Sequence, residues 1–255
     1  MKTFFLRAWK FALKAGLFFT VFSILLVLVL RWLPVSWTPL MFVRLVHPAE
    51  GSKAQIRHSW VPLAEIPNSL QLAVVCSEDQ HFLVHHGFDF EQIRQAMNKA
   101  EAGGRVRGAS TISQQTAKNV FLWPSSSWLR KGFEAWFTVL IETLWSKERI
   151  MEVYLNSIEF GDGIYGCEAA SQYFFKKPAI RLSAAESARL AIVLPNPHRL
   201  KVNATSAYLL RRQAWALNQM RLWGGVLRYA TEEKDKPQSK KPARKNSPHA
   251  ENSTQ

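Results

Sequence analysis

The chain begins with a block that has almost no polar interruption. Residues 15–30, AGLFFTVFSILLVLVL, carry no charge, and the apolar run continues past Arg31 through Trp32 and Leu33. That is about the 20 residues a helix needs to cross a bilayer, with the stem of Arg31 free to snorkel. A cleaved signal peptide has a shorter apolar region and a small-x-small end. Here the run ends in RWLPVSW, so the pattern predicts a retained transmembrane anchor over 15–33. The following stretch, PVSWTPLMFVRLV at 34–46, stays apolar. It reads either as a linker packed on the domain or as an interfacial segment on the membrane surface, extending to residue 54. The neighbouring anchor favours the second.

From about residue 60 the apolar spacing becomes helical, which sets a folded domain over 55–228. Asp89 can cap a helix, with Gln92 at the reciprocal position, and Phe90, Ile93, Met97 and Ala100 follow. A helix from Trp128 to Trp145 carries a wide stripe of Leu129, Phe133, Trp136, Phe137, Leu140, Ile141 and Leu144, expected to be core. Further helical patterns cover 148–156, 166–175, 183–193 and 206–223. No strand run and no internal repeat stand out, so the domain is expected to be mainly α. Residues 229–255 have almost no large apolar side chain and are expected to be a disordered tail.

Charge adds direction to this plan. The formal net charge is +14 over 255 residues, which implies anionic partners: nucleic acid, a phospholipid surface or phosphorylated substrates. Lys2, Arg7, Lys10 and Lys14 precede the apolar run without an acid; after it only Arg31 and Arg44 come before Glu50. That bias puts residues 1–14 in the cytoplasm and the domain outside, which argues against nucleic acid. Two cysteines, Cys76 and Cys167, exclude a disulfide scaffold and a cysteine-rich zinc module.

Chemistry concentrates in a few clusters. EDQHFLVHHGFD, Glu78 to Asp89, reads as a metal site, a solvated helix end or an acid/base cleft. His81 and His85 have i, i+4 spacing, but no H-E-x-x-H order supports a metal. Glu78 follows the apolar run LQLAVVC, and an acid at the edge of a core can have a raised pKa and act as a general base. AGGRVRGASTISQQTAKN, residues 102–119, is a glycine-rich basic loop that feeds a helix starting near Ser110. It lacks the lysine and the preceding strand of a nucleotide-binding loop, so it reads as a mobile loop or as a flap over an anionic substrate. Gln115, Lys118 and Asn119 offer donors one turn apart. Arg130 and Glu134 suit a helical ion pair. The stretches KERIMEVYLN and ESARLAIVLPNP read as an amphipathic helix and as a buried helix stopped by Pro195 and Pro197.

Taken in order, these clusters resemble the family-51 peptidoglycan glycosyltransferases. The family's five motifs are met by Glu78 to Asp89, Gly108 to Asn119, Arg130 to Glu134, Lys147 to Asn156 and Arg189 to Pro197. The resemblance spans about residues 55–225 and is to the monofunctional, membrane-anchored branch, since no S-x-x-K tetrad of a transpeptidase is found. It implies a lysozyme-like, mainly helical fold behind one N-terminal transmembrane helix. It implies lipid II and the nascent glycan as substrates, on the outer face of the bacterial inner membrane, with cell-division and penicillin-binding proteins as partners. Glu78 matches the family's base and Glu134 its second essential carboxylate, which orders the cations, binds a divalent metal or favours oxocarbenium character. Lys118, Arg130 and Lys131 match the cations for the leaving pyrophosphate, with Gln115 and Asn119 orienting it. Asp79, Phe82, His85, Ser110, Thr111 and Glu152 complete the substrate-side positions. In this reading Asp79 supports Glu78 by hydrogen bonding, Phe82 and the histidines build the cleft, and Glu152 with Asn156 holds the fourth motif's helix. No tightly bound cofactor or metal is implied, only stimulation by Mg or Mn. A glycan-cutting enzyme and a membrane-tethered scaffold with an idle site remain the rival readings.

Overall fold

The computed structural model describes residues 2–48, 55–103 and 110–229. The flap at 104–109 and the tail from 230 onward lie outside them. Ten α-helices are described: α1 Lys2–Leu30, α2 Pro39–Val46, α3 Asn68–Glu78, α4 Phe90–Glu101, α5 Ile112–Phe121, α6 Trp128–Leu144, α7 Lys147–Ser157, α8 Cys167–Phe175, α9 Ala184–Ala191 and α10 Ala207–Leu222. Seven of their starts follow one rule. The side chains of Thr38, Asp89, Thr111, Ser127, Ser146, Ser183 and Ser206 each accept an N–H of the first turn that would otherwise have no partner.

α3 runs through the centre, with every residue from Leu70 to Cys76 buried. α9 and α10 pack against it, while α5 lies against α6 and α7. One hydrophobic core joins these helices through Leu72, Phe82, Ile112, Ile141, Ile150 and Leu155. The expected absence of strands needs correcting. β1 (Arg57–His58) pairs parallel to β3 (Ile164–Tyr165), and β2 (Glu159–Gly161) pairs antiparallel to β3. Strands of two or three residues, buried throughout in β2 and β3, are too short to show alternation. Asn156 fastens the segment that follows β1 to α7. Its amide donates to the Val61 carbonyl (2.9 Å) and its Oδ1 accepts the Val61 N–H (2.9 Å).

Two apolar stripes behave differently from the expectation. In α6, Phe137, Leu140 and Ile141 are core, but Leu129 is exposed, and Phe133 and Trp136 face α1. In α4 no residue is buried; Phe90 and Met97 are exposed, and nothing among the described residues covers them.

α1 is the one described helix long and apolar enough to cross a membrane, over Thr3–Leu30. Its second half is docked on the domain. Phe19 packs against Phe133 and Trp136, and the Trp136 indole donates to Ser23 Oγ (3.1 Å). The Trp145 indole donates to the Val27 carbonyl (2.8 Å), and Arg149 donates to the Leu30 carbonyl (2.7 Å).

Candidate active site

Glu78 is the last residue of α3, where the buried helix ends at a cavity of about 690 Å³. Glu78, Ser110, Gln115, Lys118 and Asn119 line it together, so the first two motifs meet there. Glu78 Oε2 accepts a hydrogen bond from Gln115 Nε2 (3.0 Å), and the Gln115 Oε1 accepts the Tyr154 hydroxyl (3.2 Å). That chain fixes which end of the amide faces the carboxylate. Burial pushes the Glu78 carboxyl above its ordinary value; the Gln115 bond and the charges of Arg212 and Lys118 oppose the rise, and Asp79 adds to it. Glu78 forms no ion pair among the described residues. A carboxylate held this way can take up and release a proton.

Asp79 behaves differently from its expected role. Its oxygens do not bond Glu78. They accept His85 Nε2 (2.9 and 3.0 Å) and the Ile112 N–H at the start of α5 (2.9 Å). A carboxylate at a helix N-terminus is favoured by the free N–H groups and the dipole. The Gly87 N–H donates to His85 Nδ1 (3.0 Å), which leaves the proton on Nε2 for Asp79. Asp79 therefore ties the first motif to the second. Thr111 strengthens the tie by donating to the Gly87 carbonyl (2.6 Å) while capping α5. Gly87 itself has φ +91°, and an added Cβ would lie 2.7 Å from the Thr138 methyl, so no larger residue fits.

His81 and His85 do not converge. His81 meets Asp89 (2.7 Å) and His85 meets Asp79, so the i, i+4 pair forms no shared metal centre. The segment after Glu78 is a turn and not a helix, which separates the two rings. Phe82 is fully buried behind the cavity, with the Lys147 ammonium 4.7 Å from its ring centre. Asp79, Phe82, His85, Thr111 and Glu152 do not line the cavity; they stand behind it or beside it. Glu152 accepts the Leu63 N–H (3.1 Å) and pairs with Arg149 (2.7 Å), holding α7.

The third motif forms the second carboxylate's setting. Glu134, buried on α6, accepts Arg130 Nη1 (2.7 Å) and the Lys131 ammonium at its other oxygen. Arg130 lines a hollow that shares Leu40, Lys118 and Asn119 with the cavity of Glu78. Lys118 makes no ion pair among the described residues. Burial draws its pKa down, Glu134 and Glu78 raise it, and Arg130 and Lys131 lower it further. The Asn119 amide nitrogen is buried without a hydrogen-bond partner in this wall. The site thus sets the Glu78 carboxylate beside Lys118, Arg130 and the open Asn119 donor.

Several lining residues escape a reading by motif. Leu40 and Arg44 come from α2, Glu159 from β2, His198 from the turn between α9 and α10, and Tyr208, Arg212 and Trp215 from α10. Arg212 lies over the Trp215 ring at 4.5 Å. Glu159, Asp162 and His198 bring possible ligand atoms within 4.8 Å of one another at this rim. The helical pattern at 206–223 anticipates α10, but its RR pair at 211–212 gives no hint of which cation turns inward.

Residues 46–221 match the family model described as Transglycosylase. A biosynthetic peptidoglycan transglycosylase of Chromohalobacter salexigens is 50% identical over 220 residues, 86% of this chain and 94% of the relative. One of Bacteroides thetaiotaomicron is 51% identical over 236 residues (91% and 95%), and one of Pseudomonas aeruginosa 47% over 226 residues (88% and 96%). With that match and these identities over most of each chain, this chain belongs to the transglycosylase family, the glycosyltransferases that polymerise peptidoglycan glycan chains.

Proposed function

We propose that the chain extends glycan at Glu78, with lipid II as the acceptor and the lipid-pyrophosphate-linked chain as the donor. The observation that carries this reading is that one cavity holds Glu78, a half-buried carboxylate bonded by a neutral amide, and Lys118, which makes no ion pair among the described residues. A sugar hydroxyl is a weak nucleophile. Glu78 takes the proton of the acceptor's GlcNAc 4-hydroxyl as its oxygen attacks C1 of the donor's terminal MurNAc. The C1–O bond to pyrophosphate breaks on the opposite face, and the linkage inverts from α to β. Charge builds on the departing pyrophosphate, and Lys118, Arg130 and Lys131 stabilise it in the transition state more than in the ground state. Glu134 orders Arg130 and Lys131, and Gln115 and Asn119 orient the groups between.

The anchor and its charge bias support an outward-facing domain at the inner membrane, where a lipid-linked anionic substrate is presented. Cell-division and penicillin-binding proteins are the partners this reading implies. Stimulation by Mg or Mn is part of it too, tested by EDTA and metal add-back.

Detergent-solubilised protein given fluorescent lipid II should make a ladder of polymer that lysozyme digests, and Glu78→Gln should make none. A folded wild type that gives no polymer, with or without divalent metal, would return the reading to a scaffold. Shortening of preformed glycan would return it to a hydrolase.

A further inference from the structure

α7 is buried along most of its length. Ile150, Met151, Val153 and Leu155 are fully enclosed, and so is Tyr154 between them. The helix packs against α5, and Asn156 pins its last turn by donating to the Glu152 carbonyl (2.8 Å) as well as to Val61. A buried phenol hydroxyl needs a partner within the protein, since water does not reach it. Among the described residues the one hydrogen bond of the Tyr154 hydroxyl runs to Gln115 Oε1 on α5 (3.2 Å). Gln115 Nε2 in turn faces Glu78 Oε2 (3.0 Å). Three side chains from α7, α5 and α3 thus form one line, and its far end opens on the cavity.

The direction of this line has chemical content. An amide is nearly symmetric in shape, so Gln115 can present either its oxygen or its nitrogen to Glu78. The Tyr154 hydroxyl decides between them. Burial, with the charges of Glu78 and Asp79 nearby, holds the phenol well above its ordinary pKa, so it keeps its proton and donates. That donation claims the amide oxygen and turns the NH2 group to the carboxylate. An N–H donor favours the ionised form of Glu78, whereas an amide oxygen in the same place would favour the protonated form. The other groups that face Glu78 do not set this choice. Lys118 on α5 and Arg212 on α10 act on it as charges, and Asp79 turns its oxygens to His85 and the Ile112 N–H.

On the polymerase reading, which makes Glu78 the base, we propose that Tyr154 is a positioning residue for that base: its hydroxyl locks the Gln115 amide with the NH2 group toward Glu78, so that Glu78 waits as a carboxylate for the acceptor's proton. Tyr154 does not line the cavity and acts on Glu78 through Gln115. Once Glu78 has taken the proton, its O–H finds no acceptor in the locked amide, which favours passing the proton on before the next turnover.

The test uses the full chain in detergent. Tyr154→Phe keeps the ring and its packing and deletes only the donor, which frees Gln115 to turn over. The acid limb of kcat/KM for lipid II polymerisation should then move up by about one pH unit, while the rate on the alkaline side stays near wild type. In a Gln115→Ala background the same substitution should move the limb no further. A uniform fall in rate at every pH, with the limb unmoved, would make Tyr154 a packing residue and overturn the proposal. So would a full second shift in the absence of the Gln115 amide. Glu78 is also read without turnover, from the gap in thermal midpoint between each protein and its Glu78→Gln counterpart. Tyr154→Phe should widen that gap at neutral pH, because a carboxyl that binds its proton more tightly in the folded state loses more stability as pH rises. An equal gap with and without the hydroxyl would again overturn the proposal. A wild type that makes no polymer removes the polymerase reading, and the thermal gap then decides by itself whether Tyr154 governs Glu78.

Discussion

Glu78, half-buried at the cavity wall, and Glu134, buried on α6, are carboxylates of the same cavity system, but their partners differ in kind. Glu78 is met by one neutral amide, Gln115, at 3.0 Å, and feels Lys118 and Arg212 only at a distance. Glu134 has a cation on each oxygen, Arg130 and Lys131. An amide stabilises a carboxylate without forbidding its protonation. Glu78 can therefore exchange a proton during a reaction. Glu134 aligns the two cations that contact it. Two identical side chains take different chemical roles because one ends a core helix and the other sits one turn from Arg130.

The largest blow to this contrast should come from Glu78→Gln. Gln can still accept the Gln115 bond, so the fold is kept while the base is lost, and polymerisation of lipid II should fall by about 10²- to 10⁴-fold. Equal activity in this variant would sink the assignment. Next is Glu134→Gln, which releases Arg130 and Lys131; we expect a loss of about 10²- to 10³-fold in kcat, the scale of a misplaced electrostatic stabiliser. An effect confined to KM would show that Glu134 serves ground-state binding instead. Smaller still is the pH response. Glu78 must be ionised to act, so the acid limb of kcat/KM should lie above 4.5, the ordinary glutamate value. Arg212→Gln removes a charge that opposes the rise and should move that limb to higher pH. A limb at or below the ordinary value would contradict the buried setting.

The smallest effect is on stability. A carboxyl whose folded pKa is raised binds its proton more tightly in the folded state. Its contribution is fully present below the unfolded pKa and is lost as pH rises through the folded one. Glu78→Gln should therefore have a higher thermal midpoint than wild type at neutral pH, and the gap should close as pH falls toward 4.5. A gap that widens on acidification would reverse the sign of the argument.

The start of α4 was readable because a single polar residue, Asp89, stands before an apolar period and does the capping; the start expected near Ser110 lies at Ile112, capped by Thr111. The meeting of Glu78 with Gln115 and Lys118 was readable only through motif order, since the contacts span 37 residues and more. Three features stayed hidden for definite reasons. The strands are shorter than one alternation. The α6 stripe served two neighbours, the core and α1, and periodicity does not separate them. Arg44 and Arg212 reach the cavity from helices that carry no motif, so only packing reveals which way they face.

The docking of α1 on α6 bears on how the protein is prepared. Trp136 and Trp145 place their indole N–H groups on Ser23 and Val27, and Arg149 uses the Leu30 carbonyl. Cutting the chain after the apolar run to obtain a water-soluble enzyme removes three acceptors and strips the cover from Phe133 and Trp136 in one step. The trimmed protein inherits a sticky flank beside α6 and α7, the helices that carry Glu134 and the Gln115 partner Tyr154. Aggregation and weak turnover in such a preparation would then report on the missing helix, and the detergent-held full chain is the form in which to measure rates.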